Sequence, residues 1–378
     1  MRRRNYYSMR KKRIAIIVPG GVSNGFYNQG LPALVNLING LSARFEVTVY
    51  SLISVNPDYK PDNFRLKAIT AVREQSALSR MLRLSFMIYR DHLKDRYDLF
   101  HGIWGGASGT LAVLLGKLLM RPSVVSLRGG ETAEVGAIAY GYLLKSSKKK
   151  WLLSTLKRAD QVTVLTNFQA SVLRKYGFKK DIQVTPTGVD TSIFAPANKV
   201  YGPPFHFLHV ANLTEVKDQE TLLRAFRLIR DKLDCHLKIA GADYLNGKIQ
   251  KLCSELDLED SVTFLGPVKN TDLPTYFAWA HAMMHTSLYE AQGVVTVEAA
   301  ACKVLVAGTK TGMISDLEYE TVSVAPGDFK DLAERVLQIA ADEKHWKSTV
   351  QRAYEWAKAH DIHFTVNRFV NIYNDHIK

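Results

Sequence analysis

The sequence predicts an α/β protein built from two Rossmann-like, doubly wound parallel-sheet domains. Three observations carry that prediction. Apolar runs such as "RIAIIV" and "CHLKIAGA" are continuous, as in strands buried on both faces. Amphipathic segments with helical periodicity separate them. The pattern restarts after a stretch rich in Pro and Gly near residue 200, and 378 residues is long for a single core.

Taken in order, "RIAIIVPGG" reads as a buried strand ending in a turn, "LPALVNLINGLSA" as an amphipathic helix and "FEVTVYSL" as a second strand. "YDLFHGIWGG" supplies a strand and Gly-rich turn, and "SGTLAVLLGKLLM" the helix after it. "PSVVSLRGGET" and "ADQVTVLTN" repeat the theme of a strand followed by a polar turn. The linker "PTGVDTSIFAPANKVYGPP" then separates a domain over residues 1–200 from one over 201–361. In the second domain "FHFLHVANL", "CHLKIAGA", "SVTFLG", "AMMHTS" and "VLVAG" are strands. "DQETLLRAFRLIRD", "IQKLCSELDL", "LPTYFAWA" and the segment around Glu298 are helices.

The composition, 47% apolar and 23% charged, is that of an ordinary globular chain. The three cysteines, Cys235, Cys253 and Cys302, are scattered, which argues against a disulfide framework or zinc site and for a reducing compartment. No apolar run reaches the roughly 18 residues of a spanning helix. The start "MRRRNYYSMRKKRIAIIVPGG" resembles a signal peptide only superficially, because Ile14 to Val18 leads straight into a Gly-rich turn. Charge is unevenly spread. Residues 1–200 hold 31 Lys and Arg against 12 Asp and Glu, and residues 201–378 hold 19 against 24. A basic half joined to a mildly acidic one points to a polyanion meeting the first half, either nucleic acid or an anionic membrane surface.

Open parallel sheets bind ligands beyond the carboxyl ends of their strands. The residues expected there are Gly20 and Gly21, His101 to Gly106, Arg128 to Glu131, Asn212 to Lys217 and Glu290 to Gly293. Lys217, between a strand and an amphipathic helix, can neutralise a phosphate, although most lysines are solvated surface residues. A helix starting near Gly293 turns free amides and its positive dipole end towards the loop of Glu290, a seat for phosphate. Gly293 permits close approach of a ligand to the backbone. Glu298 then stands about 8 Å along the helix axis. A nucleotide-diphosphate sugar has the matching layout: ribose diol, diphosphate, sugar hydroxyls. Glutamate pairs at a given spacing are common by chance, so the weight rests on strand, Glu, Gly, helix and basic turn occurring together.

The run from Asn212 to Asp316 resembles the donor-binding domain of the family-4 glycosyltransferases. Glu290 and Glu298 match that family's E-x7-E pattern and Lys217 its strand–turn–helix lysine, and "GTKTG" follows in order. "ADQVTVLTN…PTGVDTSIFAP" is similar to the family's inter-domain segment, and "VVSLRGGET" to its "VVxxHG" element. The resemblance implies the GT-B fold, two Rossmann-like domains facing one cleft, with the final stretch, about residues 362–378, packed back on the first domain. It implies a retaining, metal-independent hexosyltransferase with a nucleotide-diphosphate sugar as co-substrate and no resident cofactor. By the same resemblance Lys217 holds the diphosphate, Glu298 the ribose hydroxyls and Glu290 the donor sugar. The backbone of Gly293, Val294 and Val295 contacts sugar and phosphate, and Gly21 closes over the diphosphate. Attack from the front side is expected, the leaving phosphate taking the acceptor's proton.

Five positions depart from the family pattern. Asn212 stands where an arginine is usual, Gln292 where an aromatic is, Lys303 and Leu305 where Gly and Pro are, and Arg128 where a histidine is. Arg128 is a candidate for the missing positive charge, with Glu131 beside it. His101 either faces the acceptor or is a structural histidine in a turn.

"SALSRMLRLSFMIYRDHLKDRYD" reads as a basic amphipathic helix suited to a headgroup layer. "KSSKKKW" and "MRRR…RKKR" add cationic patches. The expected partners are therefore a nucleotide sugar, a saccharide or lipid-linked acceptor in cell-surface polysaccharide or glycolipid synthesis, and an anionic membrane surface. The expected location is cytoplasmic, with peripheral attachment to the inner face of the cytoplasmic membrane. Nucleic acid is disfavoured, since charge is its sole support and no zinc finger, RNP strand or helix-turn-helix is apparent. A dehydrogenase is disfavoured because no G-x-G-x-x-G follows the first strand of either domain. A sugar-nucleotide epimerase of the same fold is the nearer alternative, a non-catalytic polyanion binder the more distant one.

Overall fold

A computed structural model describes residues 10–23, 30–69 and 76–377. The basic N-terminal segment before residue 10 lies outside the described residues. The chain runs β1 (Arg13–Val18), α1 (Pro32–Ser42), β2 (Glu46–Ser51), β3 (Arg65–Ala68), α2 (Ala77–Lys94), β4 (Leu99–Ile103), α3 (Ala107–Leu118), β5 (Ser123–Ser126), α4 (Ser146–Arg158), β6 (Gln161–Val164), α5 (Asn167–Lys175) and β7 (Gln183–Val184). It continues through β8 (Phe205–Val210), α6 (Gln219–Arg230), β9 (Cys235–Ala240), α7 (Lys248–Glu255), β10 (Val262–Gly266), α8 (Leu273–Trp279), β11 (Ala282–His285) and α9 (Val294–Ala301). The last elements are β12 (Leu305–Thr309), α10 (Gly312–Asp316), β13 (Val322–Val324), α11 (Phe329–Ala340), α12 (Glu343–Ala359) and α13 (Ile362–His376).

Two sheets result, in the orders β3-β2-β1-β4-β5-β6-β7 and β10-β9-β8-β11-β12-β13. The chain divides into two compact units: residues 1–126, 154–163 and 366–378, and residues 127–153 and 164–365. Arg128 and Glu131 thus share a unit with Lys217 and Glu290.

In the first unit β1 is buried at every position. Because side chains alternate across a strand, Ile14, Ile16 and Val18 enter one core with α1, while Ala15 and Ile17 enter another with α2 and α3. Phe369, Ile372 and Tyr373 of α13 complete the first of these cores. Helix α2 is capped by Ser76, whose side chain accepts from Ser79 N, and turns Leu84 and Ile88 inward. Asp91 on the same helix accepts from Tyr50 OH and from the Lys67 ammonium, both at 2.7 Å.

The second unit repeats the plan. Phe205 and Phe207 of β8 pack with Leu222, Leu223 and Phe226 of α6. Leu208, on the other face, packs with Phe277 of α8 and Val297 of α9. Strand β8 pairs with β9 on one side and β11 on the other, so the strand order reverses there. The loops after β8 and β11 leave on either side of that switch point, where a parallel sheet opens a crevice for a ligand.

Candidate functional site

The loop after β8 is built around Asn212 and Asp218. Asn212 Oδ1 accepts from Ala242 N at 3.0 Å and ties the loop to the end of β9. A short 3-10 turn, Glu215–Lys217, follows. Asp218, with φ of 47°, caps α6 by accepting from Thr221 N. That tight turn leaves the Lys217 side chain at the strand end, 24% exposed. Thr286 Oγ1 donates to Lys217 O at 3.2 Å and to Asp218 O at 2.9 Å, joining this loop to the one after β11.

The second loop places Glu290. A single oxygen, Oε1, is met by the Lys217 ammonium, by His285 Nε2 at 2.9 Å and by Ser287 Oγ at 3.0 Å. The Glu290 side chain is 12% exposed. Burial alone would raise its pKa, but the Lys217 charge and the His285 hydrogen bond outweigh burial and hold the carboxyl well below the usual range. His285 Nδ1 is buried with no partner among the described residues, while Nε2 faces the carboxylate as its donor. Oε2 of Glu290 has no partner among the described residues.

Gly293 adopts φ of 76° as the N-cap of α9, a conformation that favours glycine. The amides of Val294 and Val295 open the helix and have no intrahelical acceptor. A crevice of about 470 Å³ collects these parts. Arg128, Asn212, Lys217, His285, Glu290 and the Gly293–Val295 backbone line it, with Gly129, Gly130 and Tyr140 on a further wall.

Other expected site residues lie elsewhere. Glu298 is buried on α9 and is not among the residues lining the crevice. Burial pushes its carboxyl up to about 7, against the pull of the Asn270 amide 3.4 Å away. Glu131 is buried and accepts from Gly129 N at 2.7 Å, which holds the glycine turn beside Arg128. Gly21 belongs to the first unit, where φ of 87° lets its carbonyl accept from Leu31 N at 2.9 Å.

His101 was expected past the end of a strand, but it sits inside β4 and is fully buried. Its Nδ1 lies 2.6 Å from Tyr373 OH and its Nε2 2.7 Å from Ser126 Oγ. Both ring nitrogens are thus engaged in the core under α13. Asn212 adds no charge to the crevice, and Arg128 stands beside Lys217 there as a second cation. The Arg128 guanidinium donates to Thr187 Oγ1. Gln292 has turned inward: its amide accepts from Thr187 N and donates to Thr187 O, each at 2.8 Å. It clips the 185–188 segment to the loop of Glu290.

Reading the sequence for strand ends missed His285, Ser287 and Asn270. The first two were visible as polar residues three and five positions before Glu290 in "HTSLYE", and Asn270 carried no local signal. Among the described residues no group of three or more His, Cys, Asp or Glu is arranged to hold a metal ion.

The chain matches two family models in succession: glycosyltransferase family 4 over residues 33–193 and glycosyl transferases group 1 over residues 191–356. It is 31% identical over 162 residues to a D-inositol 3-phosphate glycosyltransferase of Pseudarthrobacter chlorophenolicus, covering 39% of this chain and 38% of the relative. The chain spans about half the length of the curated relatives that follow, 56% and 54%. A GDP-mannose-dependent alpha-(1-6)-phosphatidylinositol monomannoside mannosyltransferase of Mycolicibacterium smegmatis is 26% identical over 279 residues, 65% of this chain and 71% of the relative. Among solved structures, a sucrose-phosphate synthase from Thermosynechococcus elongatus superposes with a TM-score of 0.79 at 19% identity, covering 97% of this chain and 99% of that one. That likeness establishes the GT-B fold, and with the two family models in register from residue 33 to residue 356 the chain belongs to the family-4 glycosyltransferases.

Proposed function

We propose that this protein is a retaining glycosyltransferase that moves a hexosyl group from a nucleotide-diphosphate sugar to a saccharide or lipid-linked acceptor. The observation that carries the reading is the crevice at the switch point, where the Lys217 ammonium, the opening amides of α9 and the carboxylate of Glu290 meet. A diphosphate seated on the α9 tip would exchange the Lys217–Glu290 ion pair for one between Lys217 and phosphate. Glu290 Oε2 would then face the sugar hydroxyls, with Oε1 still held by His285 and Ser287.

In the reaction the bond between the anomeric carbon and the phosphate oxygen breaks as positive charge grows on the sugar ring. The new bond forms from the acceptor oxygen on the same face, and the leaving phosphate takes the acceptor's proton. Cationic and amide groups aimed at the departing phosphates are the main lever on such a barrier. Lys217, Arg128 and the amides of Val294 and Val295 supply them, so the reading requires no bound metal. Glu298 would reach the ribose hydroxyls from along α9.

We place the work at an anionic membrane surface, at the cytoplasmic side, in cell-surface polysaccharide or glycolipid synthesis. The basic residues of α2 and the lipid acceptor named for the mannosyltransferase relative support this. No helix among the described residues is long and apolar enough to cross a membrane. Screening the purified protein by thermal shift against UDP-, GDP- and ADP-sugars tests the donor, since a ligand that binds only the folded state raises the melting point. One donor class should shift the melt and be turned over to free nucleoside diphosphate. A protein stabilised by none of them overturns the reading.

A further inference from the structure

Helix α2 carries two separate sets of apolar residues. Leu84 and Ile88 are fully buried against the sheet. Leu78, Leu82, Phe86 and Leu93 are instead 63–68% exposed, and Tyr89 is 38% exposed. At 100° per residue these five fall in one sector roughly 80° wide, turned away from the core. Arg83, Arg90 and Lys94 fill the adjoining sector and form no ion pair among the described residues. The single acid of the helix, Asp91, is buried and bonded to Lys67 and Tyr50.

Helix α3 packs in the same layer, sharing a core with α2 through Leu111 and Leu115. It also presents apolar residues outward: Leu114 and Leu118, then Met120 just beyond its end, which is 88% exposed. Lys117 lies among them, and α3 contains no acid. Exposed apolar surface on this scale, rimmed by unpaired cations, marks a binding face.

We propose that the outward faces of α2 and α3 dock on an anionic lipid bilayer, with the leucines and Phe86 in the acyl boundary and the basic sector against the headgroups. Charge decides the occupant. A second copy would set two strongly basic surfaces against each other. A nucleic acid would leave the leucines against phosphate, with no gain from their burial. A bilayer of acidic lipid satisfies both sectors of one helix lying in its plane. This surface turns the membrane reading above from an excess of charge into a defined face. It belongs to the first unit, and the residues of the nucleotide-sugar crevice belong to the second.

The test is sedimentation of the full chain with phosphatidylcholine vesicles, with and without phosphatidylglycerol. Binding should require phosphatidylglycerol. Leu82→Ser with Phe86→Ser should weaken it by about a hundredfold, roughly tenfold for each side chain withdrawn. Arg83→Gln with Arg90→Gln should weaken it by about fivefold for each charge and flatten its dependence on salt. All four positions are exposed, so melting points and nucleotide-sugar thermal shifts should stay those of the wild type. The proposal is overturned if acidic vesicles do not bind the protein. It is also overturned if the Leu82 and Phe86 changes leave binding intact, or instead convert a dimer to a monomer. Vesicle binding without any nucleotide-sugar shift would uphold this face and discard the donor reading, and the reverse result would do the opposite.

Discussion

His285 Nε2 lies 2.9 Å from Glu290 Oε1, the same oxygen that meets Lys217 and Ser287. Three donors on one oxygen fix the carboxylate plane and aim the other oxygen outward. Replacing Glu290 by Gln should lower turnover of the nucleotide sugar by about two to three orders of magnitude, the usual cost of removing a group that acts on developing charge. His285→Ala should cost about tenfold, mostly in kcat, because it leaves Glu290 present but free to turn. Steady-state release of nucleoside diphosphate measures both. Equal losses for the two variants would mean that His285 does more than position its neighbour.

The lowered pKa of Glu290 also makes a stability prediction. A carboxyl held below its ordinary value near 4.5 contributes stability that is complete above that value and disappears as pH falls towards the folded-state one. Glu290→Gln should therefore melt below the wild type at neutral pH, by about 1–3 kcal/mol for a lost, partly exposed ion pair. The gap should narrow steadily below about pH 4.5. Melting curves of both proteins across that range decide it. A gap that stays constant would show that the loss comes from packing and not from charge.

Which parts of this were visible in the sequence follows from what each pattern encodes. Continuous apolar runs such as Ile14 to Val18 announce strands buried on both faces, and the residues just past them mark the crevice. That logic found Lys217, Glu290 and Gly293 because a switch point brings two strand-end loops together. It failed for His101, since "FHGI" does not say where a strand stops when its glycine sits inside it. It could not say which apolar sector of α2 faces the core, because the sector of Leu82 and the opposite one of Leu84 are both apolar and only tertiary packing decides between them. Gln292 was read as a missing aromatic contact, and its pairing with Thr187, 105 residues away in sequence, has no local trace.

That pairing is testable in isolation. Gln292→Leu keeps the volume of the side chain but leaves the buried N–H and C=O of Thr187 without partners. Each unsatisfied group costs about 1–3 kcal/mol, so the variant should lose about 2–5 kcal/mol in denaturant unfolding. Gln292→Glu, which keeps an acceptor for the N–H but not the donor, should fall between the two. Donor binding by the folded fraction should change less than stability does, because the amide is taken up by Thr187 although Gln292 is among the residues lining the crevice.

Glu298 gives the sharpest pH dependence. Its folded-state value near 7 stands above the ordinary one near 4.5, so between those values the folded chain holds a proton that the unfolded chain has released. Stability should therefore fall as pH rises through that window. Glu298→Gln, which never ionises, should gain on the wild type by about 1–3 kcal/mol above pH 7 and match it below pH 4.5. Binding should show the converse. If Glu298 accepts from both ribose hydroxyls as a carboxylate, the nucleotide sugar should release a proton on binding at pH 6 and bind about fivefold tighter at pH 7. Calorimetry in buffers of different ionisation enthalpy measures that release directly. Identical heats in the two buffers, or the same pH dependence in Glu298→Gln, would remove Glu298 from the donor site and leave it a buried acid of α9.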